Sequence, residues 1–208
     1  MNLDTTRPTP NRRVILGSTS SYRRELLKRL CIPFDVAPPD VDETQLPGEA
    51  PAVLAQRLAL AKANAVAAQF PSAVVIGSDQ VADLGGQCLG KPGTHLKAVH
   101  QLQQMRGQTV WFHTAVAVVC VAAGFEQREV VVVKAIFREL SDEEIENYLQ
   151  LEKPYDCAGS AKSEGLGIAL MNAITSDDPT ALIGLPLIKT CQMLRAAGIE
   201  LLPSRQAL

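Results

Sequence analysis

The acid Asp79 follows the apolar run Ala73 to Ile76, in Gly77-Ser78-Asp79-Gln80-Val81, and Gly90-Lys91-Pro92 comes soon after a glycine-rich turn. A carboxylate leaving a strand beside a turn that returns a lysine can set a metal-binding or water-activating group against a phosphate. A hairpin turning at Gly85-Gly86 sets Lys91 opposite Gln80 or, with the loop one residue longer, Asp79. Acid and lysine are neighbours in either register, although a lysine that merely closes a turn fits the same pattern.

Other segments supply what such an acid needs. Arg23 and Arg24 stand in the first turn of a helix opened by Ser18-Thr19-Ser20-Ser21, where the macrodipole disfavours cations and free backbone N–H groups attract anions. A bound phosphate reconciles the two, with Ser18, Ser20 and Ser21 as further donors; a solvated arginine pair is the alternative. Asp40, Asp42 and Glu43 share a loop. Carboxylates converging on one point suit a hard divalent cation, Mg²⁺ or Mn²⁺, with substrate phosphates completing its shell, and a solvated acidic loop reads the same way. Lys62, in Leu60-Ala61-Lys62-Ala63, is either a surface charge or a cation facing a cleft. The loop from Asp156 to Gly165 is rich in small residues that let backbone approach a ligand. Its Glu164 can accept hydrogen bonds from a base edge. Its Cys157 lacks a histidine within the loop to activate it and reads as a small buried filler.

The elements that position these residues form a mixed α/β pattern. Short strands are expected at Arg12 to Leu16 and Phe34 to Ala37, with a helix between them running up to Cys31. An Ala-rich helix spans Pro51 to Gln69, with proline suited to its first turn. A strand covers Val74 to Ala82 and a helix Thr94 to Met105, and β-branched runs at Val110 to Val121 and Val130 to Arg138 flank Gly124 as an antiparallel pair. Ser141-Asp142-Glu143-Glu144 is a capping box that opens a helix to about Leu151. Residues 153–167 read as loop and 168–174 as strand, and a last helix runs from Pro186 until Gly198 ends it. The expectation is a twisted mixed sheet flanked by helices, one domain over 12–202 as two lobes around a central cleft, with tails at 1–11 and 203–208.

Composition sets outer bounds. With 208 residues and 47% apolar content the chain can bury a substantial core. A net charge of −2 gives no global attraction to nucleic acid or anionic membranes. No charge-free apolar run reaches the roughly 18 residues of a membrane helix, and residues 1–11 show no apolar core of a secretory signal. The five cysteines are scattered, odd in number and without a CxxC pair, consistent with a reducing, cytoplasmic setting. The three histidines lack zinc-ligand spacing.

Five segments together resemble the Maf family of nucleoside triphosphate pyrophosphatases. They are Ile15-Leu16-Gly17-Ser18-Thr19-Ser20-Ser21-Tyr22-Arg23-Arg24, Val41-Asp42-Glu43, Leu58-Ala59-Leu60-Ala61-Lys62-Ala63, Gly77-Ser78-Asp79-Gln80 through Gly90-Lys91-Pro92, and Cys157-Ala158-Gly159 through Gly184-Leu185-Pro186-Leu187. The resemblance implies the Maf/ITPase-like fold and cleavage between the α- and β-phosphates with release of pyrophosphate. It also implies a divalent metal, a homodimer and a cytoplasmic setting. Position by position it makes Asp79 the catalytic acid, as base or metal ligand, and Ser18, Arg23, Arg24, Glu43, Lys62 and Lys91 the phosphate- and metal-handling set.

Within the family, Ser78-Asp79-Gln80 and Lys162-Ser163-Glu164-Gly165 resemble the branch acting on 7-methyl-GTP rather than the dTTP/UTP branch. Tyr22, Gln80 and Glu164 are then the specificity positions. Glu164 can accept from guanine N1–H and N2–H₂, and the Tyr22 ring can attract the cationic methylated base. Tyr22 stands where tryptophan is expected in that branch, and Ser21 where proline is common. The alternatives are a dTTP/UTP or broader nucleotide pyrophosphatase, a non-catalytic regulator of septation, and a nucleotide-binding module without turnover.

Overall fold

Alternation along the strands decides the layers. In the computed structural model, which describes residues 12–202, the strands β1 (Val14–Gly17), β2 (Asp35–Ala37) and β3 (Val74–Leu84) run parallel. The tails expected at 1–11 and 203–208 lie outside those residues. Strands β4 (Gln87–Leu89), β5 (Thr109–Cys120), β6 (Phe125–Phe137) and β7 (Met171–Thr175) add antiparallel pairings, giving one mixed seven-stranded sheet in the order β2-β1-β3-β5-β6-β7, with β4 on β3. The helices are α1 (Ser21–Lys28), α2 (Pro51–Ala67), α3 (His95–Met105), α4 (Asp142–Glu152) and α5 (Leu187–Ala196).

Odd-numbered residues Ile15, Val75, Ala115, Ala117 and Val119 face α2, while Val14, Leu16, Val74, Ile76, Val116 and Val118 pack with α1 and α5. Farther along the second face, Ala82, Val110, Phe112, Val133 and Ala135 form a separate core with α3 and α4. Two cores on one face of a continuous sheet are the two lobes.

Helix α2 approaches the sheet closely because its contact row is alanine at every fourth position: Ala55, Ala59, Ala63 and Ala67 are all fully buried. The strand reciprocates at Gly77, where a Cβ would stand 2.2 Å from the Ala59 carbonyl oxygen and 2.6 Å from the Ala63 nitrogen. Only glycine fits there, two residues before Asp79.

Element boundaries fall near those expected, with two corrections: the strand expected from Val130 already begins at Phe125, because β5 continues to pair with it as far as Cys120, and the strand expected at 168–174 starts late. Residues 166–170 coil as a 3₁₀ turn, so the strand expected at 168–174 begins at Met171. One contact distant in sequence and two local ones hold the coil. Glu152 accepts from the Leu166 N–H at 2.7 Å, and the N–H groups of Gly165 and Gly167 both return to the Lys162 carbonyl. The capping box at Ser141 and Glu144 forms in both directions, and Cys31 at φ 54° ends the turn after α1.

Candidate active site

A polar pocket opens where β1 ends and α1 begins, the carboxyl-end position at which open α/β sheets bind ligands. It encloses about 460 Å³ and includes Tyr22, Arg23, Glu43, Lys62, Asp79, Gln80, Lys91 and Glu164 in its wall. That volume suits a nucleotide-sized ligand.

Asp79 and Lys62 form its floor. Lys62 occupies a position in the row Leu54, Leu58, Lys62, Val66, where every other member is a buried aliphatic residue. Its ammonium donates to Asp79 Oδ1 at 2.7 Å and lies 2.9 Å from Glu43 Oε1. The two carboxylates therefore stand within two contact lengths of each other. Their exposures differ: the Asp79 side chain is 9% accessible, that of Glu43 58%. The exposed loop carrying Glu43 is pinned from α2 by Arg57, which donates to both oxygens of Glu49 at 2.6 and 2.8 Å and to the Thr44 carbonyl at 3.0 Å.

Arg23 and Arg24, equivalent in sequence, part company in space. Arg23 turns inward, donating from Nε to the Gly184 carbonyl at 2.8 Å and from Nη1 to Ser18 Oγ at 3.4 Å. It is half-buried by surface yet closely surrounded by protein, and that burial lowers its pKa from the ordinary arginine value, opposed by Asp79 and Glu43. Arg24 is exposed and outside the pocket wall, because successive helical residues point about 100° apart. Ser18 is buried behind Arg23, its hydroxyl also accepting from the Ser20 N–H, while Ser20 caps α1 through the Arg23 N–H. Of the two arginines, Arg23 alone lines the pocket.

Lys91 lies in the wall, exposed and with no ion-pair partner among the described residues. The hairpin pairs Ala82 with Leu89, the shorter-loop register, but β4 ends at Leu89 and Lys91 continues as loop. Gly90 and Gly93, on either side of it, are tied to the loop at 155–159 by backbone bonds.

A second group of polar residues surrounds Tyr22. Its hydroxyl donates to Asp156 Oδ1 at 3.3 Å, and burial, then Cys157 and Asp156, raise its pKa so that it stays protonated. Burial, followed by Asp156, pushes the Cys157 thiol up to about 12, which removes it as a nucleophile at neutral pH. Glu164 keeps an exposed face, but protein crowding its carboxyl raises its pKa, opposed by its own backbone N–H and by Lys162.

Gln80 departs from its expected part. Its side chain reaches the wall, yet its amide donates to Thr114 Oγ1 and to the carbonyls of Ala181 and Leu182 at 2.9–3.0 Å. It anchors the turn at 181–184 rather than offering that amide to a base. Sequence reasoning did not single out Ser78 and Thr114, which hold the same turn, or Arg57 and Lys162. For Lys62 a signal was present: a lysine inside an otherwise aliphatic i, i+4 row.

The chain matches the family described as Maf-like protein over residues 13–197. It is 69% identical over 198 residues to the 7-methyl-GTP pyrophosphatase of a Polaromonas species, covering 95% of this chain and 90% of that relative. A relative of the same name from Albidiferax ferrireducens is 69% identical over 191 residues, covering 92% and 96%, and one from Aromatoleum aromaticum 59% over 189, covering 91% and 97%. With its motifs in order around one pocket and the family match spanning nearly all of its described residues, this chain belongs to the Maf family.

Proposed function

We propose that this chain is a nucleoside triphosphate pyrophosphatase that hydrolyses 7-methyl-GTP to 7-methyl-GMP and pyrophosphate. Relatives at 58–69% identity bear that name. The observation carrying the chemistry is buried Lys62 bridging Asp79 and Glu43 at the floor of a pocket that also contains Arg23, Lys91, Tyr22 and Glu164.

In this reading Arg23, Lys62 and Lys91 bind the triphosphate and offset charge as the anhydride opens. Lys62 engages one oxygen of Asp79, leaving the other to accept a proton from water. The water oxygen bonds to the α-phosphorus, the bond to the bridging oxygen breaks, and its electron pair leaves with pyrophosphate. Tyr22 stacks on the base and Glu164 accepts from its N1–H and N2–H₂.

The donor set fits Mg²⁺ or Mn²⁺. Glu43 and Asp79 are hard oxygen donors that meet at one ammonium in the pocket floor. That arrangement suits an ion that keeps its waters and draws substrate phosphates. Glu43 and Asp79 would hold the ion, which when bound supplies positive charge and acidifies water. The reading also carries a cytoplasmic homodimer, with Trp111 and Val132 on neighbouring strands β5 and β6 offering exposed apolar surface. No helix among the described residues is long and apolar enough to cross a membrane.

The test is pyrophosphate release with Mg²⁺ or Mn²⁺ from 7-methyl-GTP, GTP, dTTP, UTP and CTP. Removing a general base costs about 10²–10⁴-fold, so Asp79→Asn is expected to lower kcat by at least about 100-fold while remaining folded. Preference for dTTP or UTP would retain the chemistry and refute the base assignment. Absence of turnover would leave a binding or regulatory protein.

A further inference from the structure

Lys162 takes no part in the steps above and lies just outside the pocket wall, yet it stands beside Tyr22, the residue that stacks on the base in this reading. Its ammonium lies 5.8 Å from the centroid of the Tyr22 ring and donates to Glu152 Oε1 at 2.5 Å. Its position is fixed from several sides. The Lys162 N–H donates to the Tyr148 hydroxyl at 3.1 Å, which in turn donates to the Ser160 carbonyl at 3.0 Å. Glu152 also accepts from the Leu166 N–H, and the turn closes against it at Gly165, where a Cβ would stand 2.6 Å from Glu152 Oε2.

The pairing with Glu152 has a consequence for Glu164. Lys162 and Glu164 feel each other's charge, but no hydrogen bond joins them; the lysine's partner is Glu152, whose hydrogen bond is the first cause raising the lysine's pKa. An ammonium carries three donors, and Glu152 engages one. The ammonium and the Glu164 carboxylate thus belong to one loop, two residues apart, with no hydrogen bond between them. Guanine presents the complement along one edge: an acceptor at O6 beside donors at N1 and N2. Adenine presents a 6-amino donor, which an ammonium disfavours.

We infer that Lys162 is a specificity-determining residue that donates to O6 of the guanine base while Glu164 accepts from N1–H and N2–H₂, so that together they select 6-oxopurines. This rests on the guanine-nucleotide reading above. N7-methylation leaves O6 free, so the same contact serves 7-methyl-GTP.

The experiment compares kcat/KM for 7-methyl-GTP, GTP, ITP and ATP in the wild type, Lys162→Met, Lys162→Arg and Glu164→Gln. A hydrogen bond from a charged donor is worth roughly 10- to 100-fold. Lys162→Met is therefore expected to lower the GTP:ATP ratio at least about tenfold and to leave GTP:ITP unchanged, since both bases carry O6. Lys162→Arg, which keeps a donor, restores most of GTP:ATP. Glu164→Gln shifts GTP:ITP instead, because inosine lacks N2. A purely structural lysine would slow all substrates together, and an unchanged GTP:ATP ratio in Lys162→Met overturns the inference alone. A wild type that prefers pyrimidine nucleotides overturns the substrate reading and this inference with it.

Discussion

Replacing Lys62 by methionine isolates the pocket floor. The Lys62 side chain is 6% accessible, and its two partners differ in how much they depend on it. Glu43 is 58% exposed, so losing that arm costs at most about 1 kcal/mol. Asp79 is 9% accessible and loses its direct cation. Breaking a buried pair from one side costs roughly 3–5 kcal/mol, because a charge is left uncompensated. Arg23 remains close enough to act on Asp79, which puts the expected loss near the lower end, about 3 kcal/mol. For a chain of this length that lowers the melting temperature by roughly 6–12 °C. The cost arises from the stranded carboxylate rather than from a lost bond, so Lys62→Met/Asp79→Asn should be more stable than Lys62→Met alone. Urea unfolding of the four members of the cycle at neutral pH measures this directly. A Lys62→Met cost below about 1 kcal/mol, or a double variant less stable than that single one, would refute the coupling. Pyrophosphate release should be lost in every variant of the cycle, so stability and activity separate in the double variant.

Gly77→Ala forces a methyl against the α2 backbone and should cost about 3 kcal/mol by overpacking, read as a lower urea midpoint. Because α2 carries Lys62, pyrophosphate release should fall as well. Arg57 holds the Glu49 carboxyl down at about 2 against an ordinary 4.5, chiefly by hydrogen bonding. Glu49 sits at the periphery although Arg57 and its own loop cover most of its side chain. A carboxyl depressed in the folded state contributes stability above about pH 4.5 that is lost as pH falls toward about 2. Arg57→Met should therefore melt below wild type at pH 6, with the gap narrowing toward pH 2.5; a constant gap would contradict the linkage. Cys157, with its thiol pushed up to about 12, should be alkylated far more slowly at pH 8 than exposed Cys31, which peptide mass mapping after iodoacetamide treatment can score.

What was legible in the sequence was mostly local. The Ser141 capping box, the hairpin at Gly85-Gly86 and the proline at the start of α2 each depend on neighbours within a few residues, and each forms as expected. Hairpin spacing brought Lys91 near Asp79, but the convergence of Asp79 with Glu43, Lys62 and Arg23 followed from family resemblance, because no local rule brings positions 43 and 79 to one ammonium. The misses have the same origin. The coil at 166–170 is held in part by Glu152, and Gln80's amide is taken by carbonyls about a hundred residues away. Arg23 and Arg24 differ only in helical phase, and nothing near them in sequence fixes which one finds the Gly184 carbonyl.

The pocket exists because one sheet face stops being apolar midway. On that face Ile76 and Val116 belong to one core and Ala82 and Phe112 to another, while Ser78, Gln80 and Thr114 interrupt them. Buried polar side chains on a strand need partners, and the turn at 181–184 supplies them as carbonyls. Thr114 Oγ1 and Gln80 Nε2 donate to the Ala181 carbonyl at 2.9 and 3.0 Å, and the Ser78 hydroxyl lies 2.9 Å from the Gly184 carbonyl and 2.7 Å from that of Ala115. Gly184 then accepts Arg23 from the other side at 2.8 Å. One turn thus fills the gap between two cores, satisfies the strand and fixes the guanidinium near the carboxylates before any substrate arrives. A cation held in that way needs little reorganisation when a triphosphate enters, which is the condition under which fixed charges stabilise a transition state most effectively. Apolar replacements at Ser78 and Thr114 could lengthen the core, but they would leave the turn's buried carbonyls short of donors and Arg23 without a rigid anchor. The polar interruption is therefore what a continuous hydrophobic face would have to give up to hold an active site.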